Sequence, residues 1–325
     1  MFSTHRPLCA LGAAAARPKP LLSLLLAFAF AAAPLAAGAA SAQASGDTVT
    51  VETAAGQETV PHDPKTVVVY DLASLDTLDA LGVDVAAAPA APYPDYMAKY
   101  AGDDVKKVGS LFEADLEAVA ALQPDLVVTG GRSASQTKAL SKVAPTIDMS
   151  VDQSDFLDSA LARARALGAI FDKKAEVEAR IAALRSSIAE LKSHTAGKGK
   201  GLIVLTTGNR MSAFGPGSRF GIIHGAFGVA PADDDLDVSN HGEAISFEYI
   251  ARTNPDWLFV VDRDAAIGRG AAASMLKNEL VENTNAWKRG QVVYLDPATW
   301  YLSSAGLTAL QRNVDQLLEA FAKAE

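Results

Sequence analysis

Three arginines stand in loops at the ends of predicted strands. Arg132 follows the apolar run Leu126–Thr129, Arg219 lies in Gly215-Pro216-Gly217-Ser218-Arg219-Phe220-Gly221, and Arg263 follows the run at 257–261. In open α/β sheets, ligands bind at the loops on the carboxyl ends of strands. A guanidinium keeps its charge when buried and offers a planar fork to carboxylate, phosphate or phenolate oxygens. Any one of these arginines, taken alone, reads more simply as a surface residue or a loop-capping ion pair. All three together, in a chain of formal charge −9, point to an anionic ligand. His241, in Ser239-Asn240-His241-Gly242-Glu243, and Tyr301, in Asp296-Pro297-Ala298-Thr299-Trp300-Tyr301-Leu302, bring an imidazole and a phenol. The plain reading is an exposed loop histidine and a packing tyrosine. The chemical reading is a pair of ligands for a trivalent iron with coordination sites to spare.

Catalytic patterns are missing. The chain contains no G-x-S-x-G elbow, no phosphate-binding Walker loop and no G-x-G-x-x-G after a strand. His62, His194, His224 and His241 stand outside any H-E-x-x-H or H-x-H arrangement, and Asp233-Asp234-Asp235 reads as a solvated loop. The expectation is a binding protein and not an enzyme, with no permanent cofactor.

The N-terminus carries export information. His5, Arg6, Arg17 and Lys19 precede an apolar run at 21–33, and small residues lead to Ala42-Gln43-Ala44. This is the pattern of a cleavable signal peptide, 1–44. The apolar run falls short of the ~20 residues of a spanning helix. Cleavage removes Arg6, Arg17 and Lys19 from a chain of formal charge −9, leaving −12 and no cysteine, because Cys9 lies ahead of the apolar run. A lipid-anchoring cysteine would follow that run. The expected mature protein is acidic, exported and periplasmic, and stands on its apolar core without disulfides. With no broad basic face, nucleic acid is not an expected partner.

The elements that must position the five side chains alternate. Predicted strands at 66–70, 83–87, Leu126–Thr129 and 146–149 interleave with helices at 71–81, Leu116–Leu122 and 135–142, which gives an α/β lobe over 45–170 with a parallel sheet. An extended lead-in precedes them at 45–63. One apolar stripe, Val177, Ile181, Leu184, Ile188 and Leu191, predicts a long helix within 171–196. It is either one more packed helix or a rigid connector between lobes. A second α/β lobe, 197–325, follows, with strands at 202–206, 257–261 and Val292–Leu295, a turn-rich loop at 208–217, and helices at 220–227, 247–252 and 305–323. A weak repeat joins the halves: Glu117 and Glu248 each precede a Pro-Asp turn by seven positions, and a buried strand follows each turn.

With these motifs in order, the chain resembles the periplasmic substrate-binding proteins of ABC importers, in which one long helix joins two Rossmann-like lobes around a ligand cleft. Within them it is similar to the subgroup for ferric catecholate siderophores of the petrobactin type. The residues that carry this are Gly130-Gly131-Arg132, the segment 211–221, His241-Gly242-Glu243-Ala244-Ile245-Ser246, Val260-Val261-Asp262-Arg263 and Leu295-Asp296-Pro297-Ala298-Thr299-Trp300-Tyr301-Leu302. The resemblance implies that Arg132, Arg219 and Arg263 face catecholate oxygens. It implies that His241 and Tyr301 ligate iron when a tetradentate siderophore leaves two positions open, and that Glu117 and Glu248 dock on the permease dimer of the importer. The Fe(III)–siderophore is then a transported ligand, and the receptor a monomer. A cobalamin or heme receptor of the same fold would want a more apolar cleft without three arginines. A zinc or manganese receptor would want several His and carboxylate ligands around one ion. A metal-dependent hydrolase is the alternative from another class.

Overall fold

The computed structural model describes residues 47–236, 238–239, 241–269 and 272–324. The segment 1–44, with its predicted signal peptide and Cys9, lies outside them. The lead-in is a hairpin, β1 (Thr48–Thr53) and β2 (Gly56–Pro61), whose alternation buries Val51 and Val60. Then follow β3 (Val67–Val69), α1 (Leu72–Ala80), β4 (Ala87–Ala90), β5 (Lys106–Ser110), α2 (Leu116–Leu122), β6 (Leu126–Thr129), α3 (Thr137–Leu140) and β7 (Thr146–Asp148). These five strands form one parallel sheet in the order β5-β4-β3-β6-β7. β3 and β6 are fully buried, as expected of β-branched strands covered on both faces. β4 begins later than the predicted 83–87, because Val83 N–H still closes the turn after α1 on Leu78 O at 3.0 Å.

The predicted connector is one helix, preceded by a second helix that packs on it. α4 (Phe156–Ile170) packs on α5 (Lys174–Thr195), and Asp172 turns the chain between them in the left-handed region at φ 55°. The packing is close: a Cβ at Gly168 would lie 2.6 Å from a methyl of Val177. α5 buries the predicted stripe Val177, Ile181, Leu184, Ile188 and Leu191, and its 22 residues span ~33 Å.

Beyond it lie β8 (Lys200–Thr207), β9 (Arg210–Phe214), β10 (Ala230–Pro231), β11 (Glu243–Ile245), α6 (Phe247–Thr253) and β12 (Trp257–Asp262). The chain ends with α7 (Ala272–Leu276), α8 (Glu279–Glu282), α9 (Asn285–Lys288), β13 (Val292–Leu295) and α10 (Leu307–Lys323). The sheet order is β11-β9-β8-β12-β13, with β10 beside β8. The supposed loop 208–217 contains β9, which folds back antiparallel on β8 through Gly208-Asn209. The supposed helix 220–227 is one 3₁₀ turn, Gly221–Ile223, in a glycine-rich stretch. α10 packs on both α5 and α1, so the second lobe's last helix also touches the first lobe.

The weak repeat is a repeated device. α2 and α6 each end on a left-handed residue, Gln123 at φ 48° and Asn254 at φ 44°, ahead of the Pro-Asp turn. Asp125 Oδ2 then accepts from the backbone N–H of Lys65 and Thr66, at 2.8 Å each. Asp256 Oδ2 accepts from Lys200 N–H at 3.0 Å. In each lobe the Pro-Asp turn thus ties the buried strand to the start of its central neighbour.

Candidate functional site

A cleft of about 1000 Å³ lies between the lobes, and its walls carry Arg132, Arg219, Arg263, His241 and Tyr301. All five residues expected to face a ligand meet in one cavity. Arg132 comes from the 3₁₀ turn Gly131–Gln136 after β6, and Arg263 from the end of β12. Arg219 escapes the carboxyl-end rule, since it follows an antiparallel strand. It is carried by a tight loop in which Phe214 and Phe220 pack edge to face at 4.9 Å and Ser218 Oγ donates to Gly215 O at 2.5 Å.

Tyr301 is the hub. It sits in a π-helical turn, Ala298–Leu302, between β13 and α10. Arg132 and Arg219, one from each lobe, both donate to the Tyr301 carbonyl oxygen at 2.6 Å, and Arg132 also reaches Leu302 O at 3.2 Å. Their guanidinium carbons lie 4.9 and 4.3 Å from the Tyr301 ring centre. Arg263 Nε donates to the Tyr301 hydroxyl at 3.1 Å. Burial opposes ionisation of this phenol, but the Arg263 hydrogen bond and the charges of Arg219 and Arg132 outweigh it and set it below the ordinary tyrosine value. Burial, then the neighbouring charge of Arg132, lowers Arg219 to about 10, so it stays protonated at neutral pH. The arrangement is a cationic patch around a phenol that ionises more readily than an ordinary tyrosine.

His241 is exposed at the cleft wall on a loop pinned from beneath. Gly242 has φ 67°, and a Cβ there would fall 2.5 Å from Ala213 O and 2.8 Å from the Phe214 ring, so only glycine fits. Asp71, which the sequence reading passed over, also lines the cleft. It follows strand β3 directly, and that position is the signal that would have found it. Asp71 caps α1 by accepting from Ser74 N–H at 2.8 Å, and burial raises its pKa against Ser74 and Arg132. A Cβ at Gly130 would lie 2.9 Å from the Asp71 carboxyl carbon, so the glycine before Arg132 serves close packing. Among the described residues no group of three His, Cys, Asp or Glu side chains is gathered to hold a metal ion.

Glu117 and Glu248 lie outside the cavity. Each is exposed at the second position of its helix, α2 or α6. Leu111 and Ile245, ahead of these helices in the chain, line the cleft. The Ser246 hydroxyl that caps α6 also holds the Glu248 carboxyl below its usual range.

The two lobes, the helical connector and a cleft whose polar groups come from both sides match what a family comparison finds. The model of the periplasmic binding protein family matches residues 67–299. The chain belongs to that family. Its members here are substrate-binding proteins. The petrobactin-binding protein YclQ of Bacillus subtilis is 44% identical over 268 residues, 81% of this chain and 84% of the relative. The ferric-anguibactin-binding protein FatB of Vibrio anguillarum is 32% identical over 281 residues, 84% of this chain and 87% of the relative. The crystal structure of YclQ superposes with a TM-score of 0.82 at 42% identity, covering 85% of this chain and 99% of that one. That of VctP from Vibrio cholerae, a periplasmic catecholate-siderophore binding protein, gives 0.80 at 34% identity, covering 84% and 100%. Among the described residues, no helix of this periplasmic binding protein is long and apolar enough to cross a membrane.

Proposed function

We propose that the protein is a periplasmic receptor that captures a ferric catecholate siderophore and delivers it to an ABC importer, performing no chemistry on it. The observation that carries this is the convergence of Arg132, Arg219 and Arg263 on Tyr301 inside the inter-lobe cleft. A ferric catecholate is anionic, aromatic and oxygen-liganded. Guanidinium groups answer its charge and stack on its rings. Tyr301, with its ionisation eased, and His241 complete the iron's coordination when a tetradentate ligand leaves two positions open. The ligands named for YclQ, FatB and VctP support the same class.

In this reading 1–44 is removed on export, 45–170 and 197–325 act as the lobes, and 171–196 is the connector. The mature monomer presents Glu117 and Glu248, exposed at the starts of α2 and α6, one per lobe, to arginines of the permease dimer. The experiment is a tryptophan-fluorescence titration of the mature protein with ferric bis-catecholate, ferric hydroxamate, heme and cobalamin, with visible spectra. Trp300, buried next to Tyr301, is the reporter. Saturable quenching by the catecholate alone is expected. Changing Arg132, Arg219 and Arg263 together to Ala should weaken it by more than about a hundredfold with the circular dichroism spectrum kept. Unchanged affinity in that variant removes the arginine assignment, and binding of heme or cobalamin alone overturns the function.

A further inference from the structure

Asp76 is a charged side chain with none of its surface exposed. It belongs to α1 in the first lobe, yet the backbone groups it accepts from lie in the second. Its Oδ1 accepts from Thr308 N–H at 2.8 Å and its Oδ2 from Ala309 N–H at 3.2 Å, while Leu307 N–H reaches Thr77 Oγ1 at 3.3 Å. These are the first three residues of α10. A helix leaves its first N–H groups without intrahelical partners, and a residue at the cap position with a side-chain oxygen ordinarily serves them. Here that position is Gly306, which has no side chain to offer. A methyl group on Gly306 would collide with the Asp76 carboxyl. The cap of α10 is therefore supplied from the other lobe.

The same carboxylate accepts from the Tyr96 hydroxyl at 2.5 Å, and that hydroxyl lies 3.2 Å from Ser303 Oγ. Arg312 of α10 covers the Tyr96 ring at 4.2 Å. Gly306 N–H in turn donates to Ser303 O at 2.8 Å, and Ser303 N–H to Ala298 O at 3.3 Å. Ser303 thus joins the cap to the π turn that presents Tyr301. Leu302, in the same turn, packs into the first lobe's core. Charged groups near this junction include Asp79 on the same helix, paired with Lys99, and Arg312 on α10 over the ring of Tyr96, which comes from the 3₁₀ segment Asp95–Ala101.

We infer that Asp76, braced by Tyr96, is a positioning residue for ligand capture: by capping α10 from the opposite lobe it holds the Tyr301 turn against the three arginines. It touches no ligand. The inference rests on Tyr301 being a ligand contact and extends the machinery of that contact to a residue on the far side of the turn.

The test is an ultraviolet titration of tyrosine ionisation in the ligand-free mature protein, each variant compared with Tyr301→Phe, which identifies the Tyr301 step. In Asp76→Ala the Tyr301 step should move up by about one pH unit, as the phenol leaves its arginines. Loss of a negative charge by itself would move it down, so the direction separates position from charge. Asp76→Asn keeps one of the two acceptors for α10 and sets an NH2 donor against the other N–H, so the step should rise by less than in Asp76→Ala. Affinity for ferric bis-catecholate should fall about tenfold in Asp76→Ala and recover in part in Asp76→Asn, which keeps one cap acceptor. Should Asp76→Ala not fold, Tyr96→Phe removes the brace alone and should give a smaller rise of the same sign. A folded Asp76→Ala, or Tyr96→Phe in its place, whose Tyr301 step stays put overturns the inference. Failure of the functional reading shows elsewhere, as wild-type protein that binds no ferric catecholate or binds it identically in Tyr301→Phe.

Discussion

The chain has seven tyrosines, and six of them, Tyr70, Tyr93, Tyr96, Tyr100, Tyr249 and Tyr294, are made harder to ionise, by burial first of all. Tyr301 alone goes the other way, so the first tyrosine to lose its proton is the one in the cleft. The three arginines do not share this effect equally. Arg263 hydrogen-bonds the hydroxyl most strongly, Arg219 adds its charge and a weaker side-chain hydrogen bond, and Arg132 acts on the phenol through its charge alone. Arg263→Gln should therefore raise the Tyr301 ionisation most, by roughly one pH unit, the size of a lost charge-assisted hydrogen bond. Arg132→Gln should raise it least. Ultraviolet difference titration against Tyr301→Phe reads both, and equal shifts in the two variants would count against the hydroxyl bond as the leading cause.

The α1–α10 junction puts a price on its carboxylate. Burial raises Asp76 from 3.8 to about 7, against the hydrogen bonds from Tyr96, Thr308 and Ala309, and Asp79 adds to the rise. The folded protein thus holds this proton more tightly than the unfolded chain does. Asp76 then contributes stability that is complete below the unfolded value and is lost as pH rises through the folded one. Urea unfolding of the wild type should show a stability component that declines between about pH 4 and 7, and Asp76→Asn should lack it. Parallel profiles for the two proteins would refute that assignment. None of this junction was legible beforehand, because Asp76 reads as one polar position on a leucine-rich helix and its partners lie some 230 positions away. Strands β3, β6, β8 and β12 were legible, being runs of β-branched and aromatic residues buried on both faces. β9 was hidden by Gly208, Gly215 and Gly217 around it, although Gly208-Asn209 is itself a hairpin turn signal. α4 was passed over because half of its buried residues, Ala160, Ala164, Ala166 and Gly168, are small and dilute the stripe of Phe156, Leu161, Leu167 and Ile170.

At the scale of the whole molecule, the lobes are joined by more than a connector. One apolar cluster runs from Leu81 and α4 through α5 and α10 to Phe259 and Trp257 of the second sheet. Arg180 donates to Ala80 O at 2.6 Å, and Gln311 to Ser187 Oγ at 3.0 Å. Arg132 spans the cleft to Tyr301 and Leu302. Wide hinge closure would break packed apolar surface, the cross-lobe cap of α10 and these bonds together, whereas hinge proteins that close widely concentrate the change in a few loop residues. The cleft is thus preorganised, and recognition depends on charges already in place more than on a movement that assembles them. Small-angle X-ray scattering of the mature protein should therefore give radii of gyration that differ by less than about 1 Å with and without saturating ferric bis-catecholate. Affinity should instead weaken with salt, chiefly through a slower association rate, as expected of an anion steered into a cationic cleft. A marked compaction on binding, with a salt-independent association rate, would mean that the lobes stand open in solution and that closure, not the standing arginine patch, supplies the affinity.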